Sequence, residues 1–129
     1  AGAAAHPDWI REGGFLFDPA SAQTDALLAM AERPTAIIAD NDEMAFATLH
    51  AIDRARLQVP HDVSIISFED TPGVRFSVPP LTAIRQPTAE IIGAAVEKLI
   101  ARANGDVVDG VLTLPHMLRI RGTTCAPTS

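Results

Sequence analysis

The stretch Pro34 to Phe46, PTAIIADNDEMAF, contains the change of pattern that decides the fold. A mostly apolar run from Thr35 to Ala39 is followed directly by four polar residues, three of them acidic: Asp40, Asn41, Asp42 and Glu43. A short, continuous apolar run is typical of a strand that is covered on both faces, as strands of parallel sheets are. The stretch therefore predicts a buried strand and, directly after it, a helix that begins at Asp42 with this residue as its N-cap.

The rest of the chain continues this alternation and predicts an α/β fold, a parallel sheet with flanking helices. Helices are expected from Pro19 to Glu32 with Asp18 as the N-cap, from Asp42 to about Leu57, and from Thr88 to Ala103. Further strands are expected at four places: Val63–Phe68, Leu81–Arg85, Val111–Leu114 and Met117–Ile120. Arg119 and Arg121 alternate with apolar residues, which indicates one exposed face of the last strand.

The apolar residues of the second and third helices predict which helix faces are buried and which can contact another subunit. In the second helix, a wheel count places five residues on the sheet-facing side: Ala45, Thr48, Leu49, Ile52 and Ala55. Phe46 falls in the outer sector beside His50, so it is either a lone exposed apolar residue or part of a subunit interface. The third helix has an apolar stripe that is expected to face inward: Ile91, Ile92, Ala95, Val96, Leu99 and Ile100.

Size and composition limit the classes of protein to which the chain can belong. With 129 residues, 47% of them hydrophobic and 20% charged, it is one ordinary domain or one piece of a larger protein. A formal net charge of −6 offers no basic surface for nucleic acid. No apolar run approaches the ~20 residues that span a bilayer, and Ala1 to Trp9 does not resemble a secretion signal. Cys125 is the single cysteine, so no internal disulfide is possible and a reducing, cytoplasmic setting is expected. Together, these features predict a soluble protein with no membrane partner.

Polar residues follow two neighbouring strands of the predicted sheet. Asp40 to Glu43 come after the first strand, and Glu69 and Asp70 come after the next. The carboxyl ends of parallel strands form the ligand crevice of an open α/β sheet, so the two clusters are expected to meet there. Such acids can bind a metal, carry a phosphoryl group, cap a helix or bind a hydroxylated ligand.

The phosphoryl and metal hypotheses have weak support. Asp40-x-Asp42 after a strand resembles the nucleophile motif of haloacid-dehalogenase-type phosphotransferases, and Glu69 with Asp70 could hold Mg²⁺. This chemistry also needs a cation near the phosphoryl oxygens, but the only lysine, Lys98, lies within the third helix. The four histidines have no paired ligand spacing. We therefore predict no catalytic residue, no metal ligand and no cofactor.

Three stretches together resemble the LacI/GalR family of bacterial transcriptional regulators. They are PTAIIADNDEMAFATLHAIDRARLQVPHDVSIISFEDTP, PPLTAIRQP and VLTLPHMLRIRGTT. The resemblance implies part of a two-lobed core, similar to periplasmic sugar-binding proteins, that closes around a small effector, for which a sugar is expected. It also implies a homodimer that binds operator DNA through a helix-turn-helix headpiece, which is expected outside this chain. A periplasmic sugar-binding transport protein with the same core remains the alternative.

The resemblance also assigns roles to five residues of this chain. It implies effector contacts by an aromatic ring at Phe15, an amide at Asn41 and an acid at Glu69, a position where the family usually has Asp. A sugar suits these groups, because a ring face can cover its apolar side while the amide and the carboxylate bond its hydroxyls. Phe15 as a core residue and Asn41 as a helix cap remain the simpler alternatives. Met44 and Phe46 are expected in the dimer interface.

The resemblance further divides the chain into three segments. Residues 1–85 would be part of the C-terminal lobe, 86–115 would cross to the N-terminal lobe, and 116–129 would form a return strand and tail. The periplasmic-binding-protein-like fold is therefore expected to be incomplete in this chain. If the other lobe is absent, the apolar stripe of the third helix lacks its partner.

Overall fold

The structure, a computed structural model, describes residues 6–108 and 110–126, and it confirms the α/β fold class. Helices and strands alternate along the described chain in the following order: α1 (Phe17–Leu28), β1 (Ala36–Ala39), α2 (Asp42–Arg54), β2 (Ser64–Glu69), β3 (Thr82–Arg85), α3 (Thr88–Ala103) and β4 (Met117–Arg119). Short 3₁₀ turns lie at Pro7–Trp9 and Pro72–Arg75. None of the helices in these described ranges is long and apolar enough to cross a bilayer.

The four strands form one sheet in the order β1-β2-β3-β4. The first three strands are parallel, as predicted, and β4 runs antiparallel to β3. The register pairs Ala39 with Ser67, and Glu69 with Arg85. The carboxyl ends of β1 and β2 therefore lie side by side, which is the arrangement expected of a ligand crevice.

The prediction that β1 is covered on both faces is wrong. Ala39 is buried, but Ala36 is exposed and the Ile38 side chain is 65% exposed. β1 is the edge strand of the sheet, and no described helix covers the sheet face on which Ile38 lies. An apolar run indicates a strand that can be buried, but it does not show whether a covering element is present.

The core lies between the sheet and α2. Its fully buried side chains come from α2, from β2 and from segments next to the strands: Ala45, Ile52, Val63, Ile65, Val74 and Leu81. α2 is also buried on a second side, because α1 packs against it and covers Ala47 and Ala51. Thr24 and Thr48 lie within hydrogen-bonding distance across this helix pair, at 3.3 Å. Ala55, which was predicted to face the sheet, is exposed, because it lies beyond the last turn as the C-cap.

α1 begins at Phe17, two residues before the predicted start at Pro19. The Phe17 N–H has an acceptor from another element, since it donates to the carboxylate of Glu43 at 3.0 Å. A helix start needs partners for its first N–H groups, and Glu43 supplies one here. The N-cap is therefore Leu16 and not Asp18, which lies inside the first turn.

α2 ends at Arg54, three residues before the predicted end at Leu57. Arg56 takes the left-handed conformation, with φ of 57°. The N–H of Leu57 then donates to Ile52 O and that of Arg56 to Asp53 O, the pattern of a Schellman motif. This motif stops the helix although its apolar pattern continues.

Two predictions for the segment between β3 and β4 need correction. α3 has the predicted bounds, but its apolar stripe is exposed, from 46% at Ile91 to 67% at Leu99. No described element packs closely enough on this helix to bury a residue of it. The strand predicted at Val111–Leu114 is not formed. A strand needs a neighbour with which to exchange backbone hydrogen bonds, and the sheet of the described chain pairs no strand with residues 111–114.

The segment after β4 is part of the core, not a loose tail. The Thr123 side chain is fully buried between the amino ends of β2 and β3. Its hydroxyl donates to Ile65 O at 2.7 Å and accepts from the Thr82 N–H at 2.8 Å. The backbone carbonyl of Thr123 also accepts from the Ile65 N–H. Thr123 thus joins the two central strands beside Ile66 and Thr82, the first pair in their register.

Candidate functional site

The two polar clusters meet at the carboxyl ends of β1 and β2. The connection is a direct one, since the carboxylate of Glu69 lies 3.4 Å from the backbone nitrogen of Asp42. Asn41 joins the same region to the loop before α1 by donating from its side-chain amide to Phe15 O at 3.2 Å. The three residues assigned to the effector therefore belong to one continuous surface.

Asn41, and not Asp42, is the N-cap of α2. The Asn41 side-chain oxygen accepts a hydrogen bond from the Met44 N–H at 2.8 Å. Because its amide also bonds Phe15 O, the helix cap and the proposed ligand group are one side chain. The cap interpretation of Asn41 is confirmed, and it fixes the direction in which this amide points.

Asp42 has a different role from the predicted one. It is the first residue of α2 and is only 3% exposed. Its carboxylate accepts two hydrogen bonds of 2.7 Å, from the Ser67 hydroxyl and from the Thr71 N–H. A negative charge at a helix N-terminus is also favoured by the helix dipole. Asp42 therefore connects α2 to the turn that follows β2.

Glu69 is exposed at the last position of β2. Both Glu69 and Asp70 take positive φ values, 99° and 61°. Residues other than glycine rarely adopt a positive φ, because this backbone conformation costs them about 1–3 kcal/mol. They keep it when the surrounding structure holds the backbone in place. The turn is therefore held in an unusual shape that presents Glu69 to solvent.

Phe15 is exposed, which excludes the simple core alternative for this residue. Its side chain is 63% exposed, and its φ of 58° follows a glycine with φ of 61°. Two consecutive left-handed residues turn the chain sharply before α1. The Phe15 ring is thus presented to solvent, while its backbone carbonyl accepts a hydrogen bond from the Asn41 amide.

The two dimer candidates are partly buried within this chain. The Met44 methyl group lies against Gly13, where an added Cβ would be 2.6 Å from it. Phe46 packs on the edge of the core and covers Gly73, at which a Cβ would lie 3.4 Å from the Phe46 ring. The alternative in which Phe46 is a lone exposed residue is therefore wrong, because the 3₁₀ turn at Pro72–Arg75 folds back over the helix.

A hollow of about 370 Å³ lies between α1, β1 and the segment before Gly13. Much of its lining is apolar, with Trp9, Leu27 and Ile37 among the residues that form it. None of the three residues assigned to the effector lines it. Outside this hollow, Phe15 and Glu69 are exposed and Asn41 is half-buried.

The geometry does not favour phosphoryl transfer. Asp42 would be the second acid of the Asp40-x-Asp42 motif, but both of its oxygens accept hydrogen bonds from within the fold. The ammonium group of Lys98 donates to Gly110 O, in the segment after α3, and not to a group at the strand ends. Among residues 6–108 and 110–126, no three His, Cys, Asp or Glu side chains are grouped to hold a metal ion.

Sequence reasoning missed the role of Arg121. It was expected on an exposed strand face, but its side chain is 17% exposed and forms an ion pair with Asp70, which is 3% exposed. The guanidinium also donates to Leu81 O at 2.6 Å. Residues 70 and 121 are far apart in sequence, and no local pattern indicates that they meet. Arg121 lies beyond β4, where the strand pattern no longer decides which side is exposed.

Comparisons with known proteins agree with this fold. A family model for a periplasmic binding protein-like domain matches residues 2–124. The lactose operon repressor of Rhizobium radiobacter is 40% identical over 108 residues, 83% of this chain and 95% of that sequence. The HTH-type transcriptional repressor PurR of Aliivibrio salmonicida is 40% identical over 98 residues, 76% of this chain and 29% of the repressor.

A solved structure shows that the similarity extends to the three-dimensional fold. The Lac repressor dimer bound to operator and the anti-inducer ONPF matches with a TM-score of 0.85 and 34% identity. The match covers 90% of this chain and 41% of that chain. This chain thus spans less than half the length of PurR and of the Lac repressor. The chain belongs to the LacI/GalR family, as part of its periplasmic-binding-protein-like core.

Proposed function

We propose that this chain is the effector-binding part of a cytoplasmic LacI/GalR-type transcriptional regulator, that its effector is a sugar, and that it catalyses no reaction. The observation that carries the proposal is the grouping of Phe15, Asn41 and Glu69 on one open face at the strand ends. The relatives matched above are named as repressors, which favours a regulator over a transport protein.

The chemistry of this face suits an uncharged ligand with many hydroxyl groups. The Glu69 carboxylate accepts hydrogen bonds from hydroxyls, and the exposed Phe15 ring can cover an apolar ring face. A hydrogen bond to a charged group contributes about 1.5–3 kcal/mol, so Glu69 would decide much of the affinity. Glu is one methylene longer than the usual Asp, which would place the bonded hydroxyl further from β2.

The proposed mechanism is allosteric. The effector would bind between residues 1–85, as one lobe, and a second lobe to which residues 86–115 cross and from which 116–129 return. The exposed apolar stripe of α3 supports this division, because such a stripe suits a packing partner. Closure would change the affinity of a DNA-binding headpiece for its operator, with a coupling of typically ~1–3 kcal/mol.

The first test is the variant Glu69→Gln in the complete protein that carries this chain. We expect its affinity for the effector to fall about tenfold or more, since a charged acceptor becomes a neutral one. Calorimetric titration with lactose, D-galactose, D-glucose and D-ribose measures this affinity. The matched control is Glu97→Gln, at an exposed position of α3.

Two outcomes of these titrations would contradict the proposal. Unchanged affinity in Glu69→Gln for a sugar that binds the wild type would mean that Glu69 is not an effector contact. Absence of binding to the wild type for all four sugars would argue against a sugar effector.

The proposed assembly is a homodimer. Its interface would use Met44 and Phe46 together with the neighbouring loop at residues 73–78. Phe76 and Val78 in this loop are 82% and 93% exposed, and Gly73 lies against the Phe46 ring. Exposed apolar side chains next to a partly buried aromatic form a surface that suits a second copy. The solved Lac repressor matched above is itself described as a dimer.

Phe76→Glu tests this surface without disturbing the core. We expect the dimer dissociation constant to rise at least about tenfold, because a charge would be desolvated at the interface. Sedimentation velocity of the complete protein measures it, with Gln58→Glu as the control, since Gln58 is exposed on another part of residues 1–85. A dimer of unchanged affinity in Phe76→Glu would count against the surface.

A further inference from the structure

The turn that presents Glu69 has a conformation that it cannot keep by itself. Glu69 and Asp70 are consecutive non-glycine residues with φ of 99° and 61°. Such a backbone is stable when neighbouring groups hold both sides of it. The residues that hold this turn are therefore as important for the direction of the Glu69 side chain as Glu69 itself.

The turn is held on its first side by Asp42. The two oxygens of this buried carboxylate bond Ser67 and Thr71, the residues two before and two after Glu69. A single buried side chain at the start of α2 thus fixes the distance between the two ends of the turn. The Asp42 N–H also lies 3.4 Å from the Glu69 carboxylate.

The turn is held on its second side by Arg121. The guanidinium bonds the Asp70 carboxylate with one nitrogen and Leu81 O with another. Its backbone N–H donates to the Thr82 hydroxyl at 2.9 Å, which fixes Arg121 to the start of β3. Because the pair is largely removed from water, its attraction is less screened than that of a surface pair.

We infer that Arg121, acting through Asp70, is a positioning residue for the effector site: it holds the turn so that Glu69 points to the ligand face. The inference rests on the proposed function of Glu69. Arg121 itself does not touch the effector. Through its ion pair with Asp70, it connects the segment after β4 to the turn that carries Glu69.

The test compares four variants of the complete protein with the wild type. Arg121→Met removes the ion pair but keeps much of the side-chain volume, and Arg121→Lys keeps the charge. Arg119→Met is the matched control at an exposed arginine of β4. Thr123→Val is the stability control, since it weakens the β2–β3 junction without contact to residues 69–71.

Two quantities are measured: amide hydrogen exchange of residues 67–71, and calorimetric affinity for lactose, D-galactose, D-glucose and D-ribose. We expect Arg121→Met to speed exchange in residues 67–71 about tenfold or more and to lower sugar affinity as Glu69→Gln does. Arg121→Lys should restore part of both. Arg119→Met should change neither, and Thr123→Val should lower the melting temperature while affinity stays within about twofold.

Three results would overturn the inference. The first is unchanged exchange of residues 67–71 in Arg121→Met. The second is an equal loss of affinity in Thr123→Val, which would show that stability alone is responsible. The third is full affinity in Arg121→Met while Glu69→Gln has lost it. If Glu69→Gln keeps full affinity, the proposed function of Glu69 is wrong, whereas the exchange measurement still reports separately on the turn.

Discussion

Replacing Asp42 with alanine is expected to lower the free energy of unfolding by about 3 kcal/mol. The fully buried Ser67 hydroxyl would lose its acceptor, and the Thr71 N–H would lose its partner as well. The N-terminus of α2 would also lose a favourable negative charge. Urea unfolding monitored by circular dichroism measures the effect.

The control for this prediction lies two residues earlier in the chain. Asp40 is exposed, so Asp40→Ala should change the free energy of unfolding by less than about 0.5 kcal/mol. Asp42→Asn, which keeps one acceptor oxygen, should fall between the two. Equal stability of Asp42→Ala and Asp40→Ala would show that the buried carboxylate does not hold α2 to the turn after β2.

The second large effect is expected at Thr123. Valine has the same shape as threonine, so Thr123→Val removes the hydroxyl and leaves the packing volume nearly unchanged. Ile65 O and the Thr82 N–H would then be buried without these partners. An unpaired buried group costs about 1–3 kcal/mol, so we expect a loss of about 2–4 kcal/mol for the two together.

Thr113→Val provides the comparison at an exposed threonine. Its effect on the free energy of unfolding should lie within about 0.5 kcal/mol. Thermal and urea unfolding of both variants distinguish the two positions. A Thr123→Val protein as stable as the wild type would mean that the segment after β4 does not join β2 to β3.

Sequence patterns predicted those features that depend on neighbouring residues. The apolar run before Asp40 located β1, and the helical period located both ends of α3 correctly. The order of strands and helices was enough to predict a parallel sheet, and hence the meeting of the two polar clusters. These features follow from local propensity and from the geometry common to α/β sheets.

Features that depend on distant contacts were not predictable in the same way. The start of α1 depends on Glu43, which lies 26 positions after Phe17, and the burial of Arg121 depends on Asp70. Phe46 is covered by a 3₁₀ turn that a helical wheel does not include. The exposed stripe of α3 shows the converse, because an amphipathic pattern indicates a face that can be buried but not which element buries it.

A crystal structure of the complete protein with a sugar identified by the titrations tests the central claim most directly. We expect the ligand to lie at the carboxyl ends of β1 and β2. Its hydroxyls should bond the Glu69 carboxylate and the Asn41 side chain, and its ring should lie on Phe15. A sugar bound instead in the hollow between α1 and β1, lined by Trp9 and Leu27, would contradict this claim.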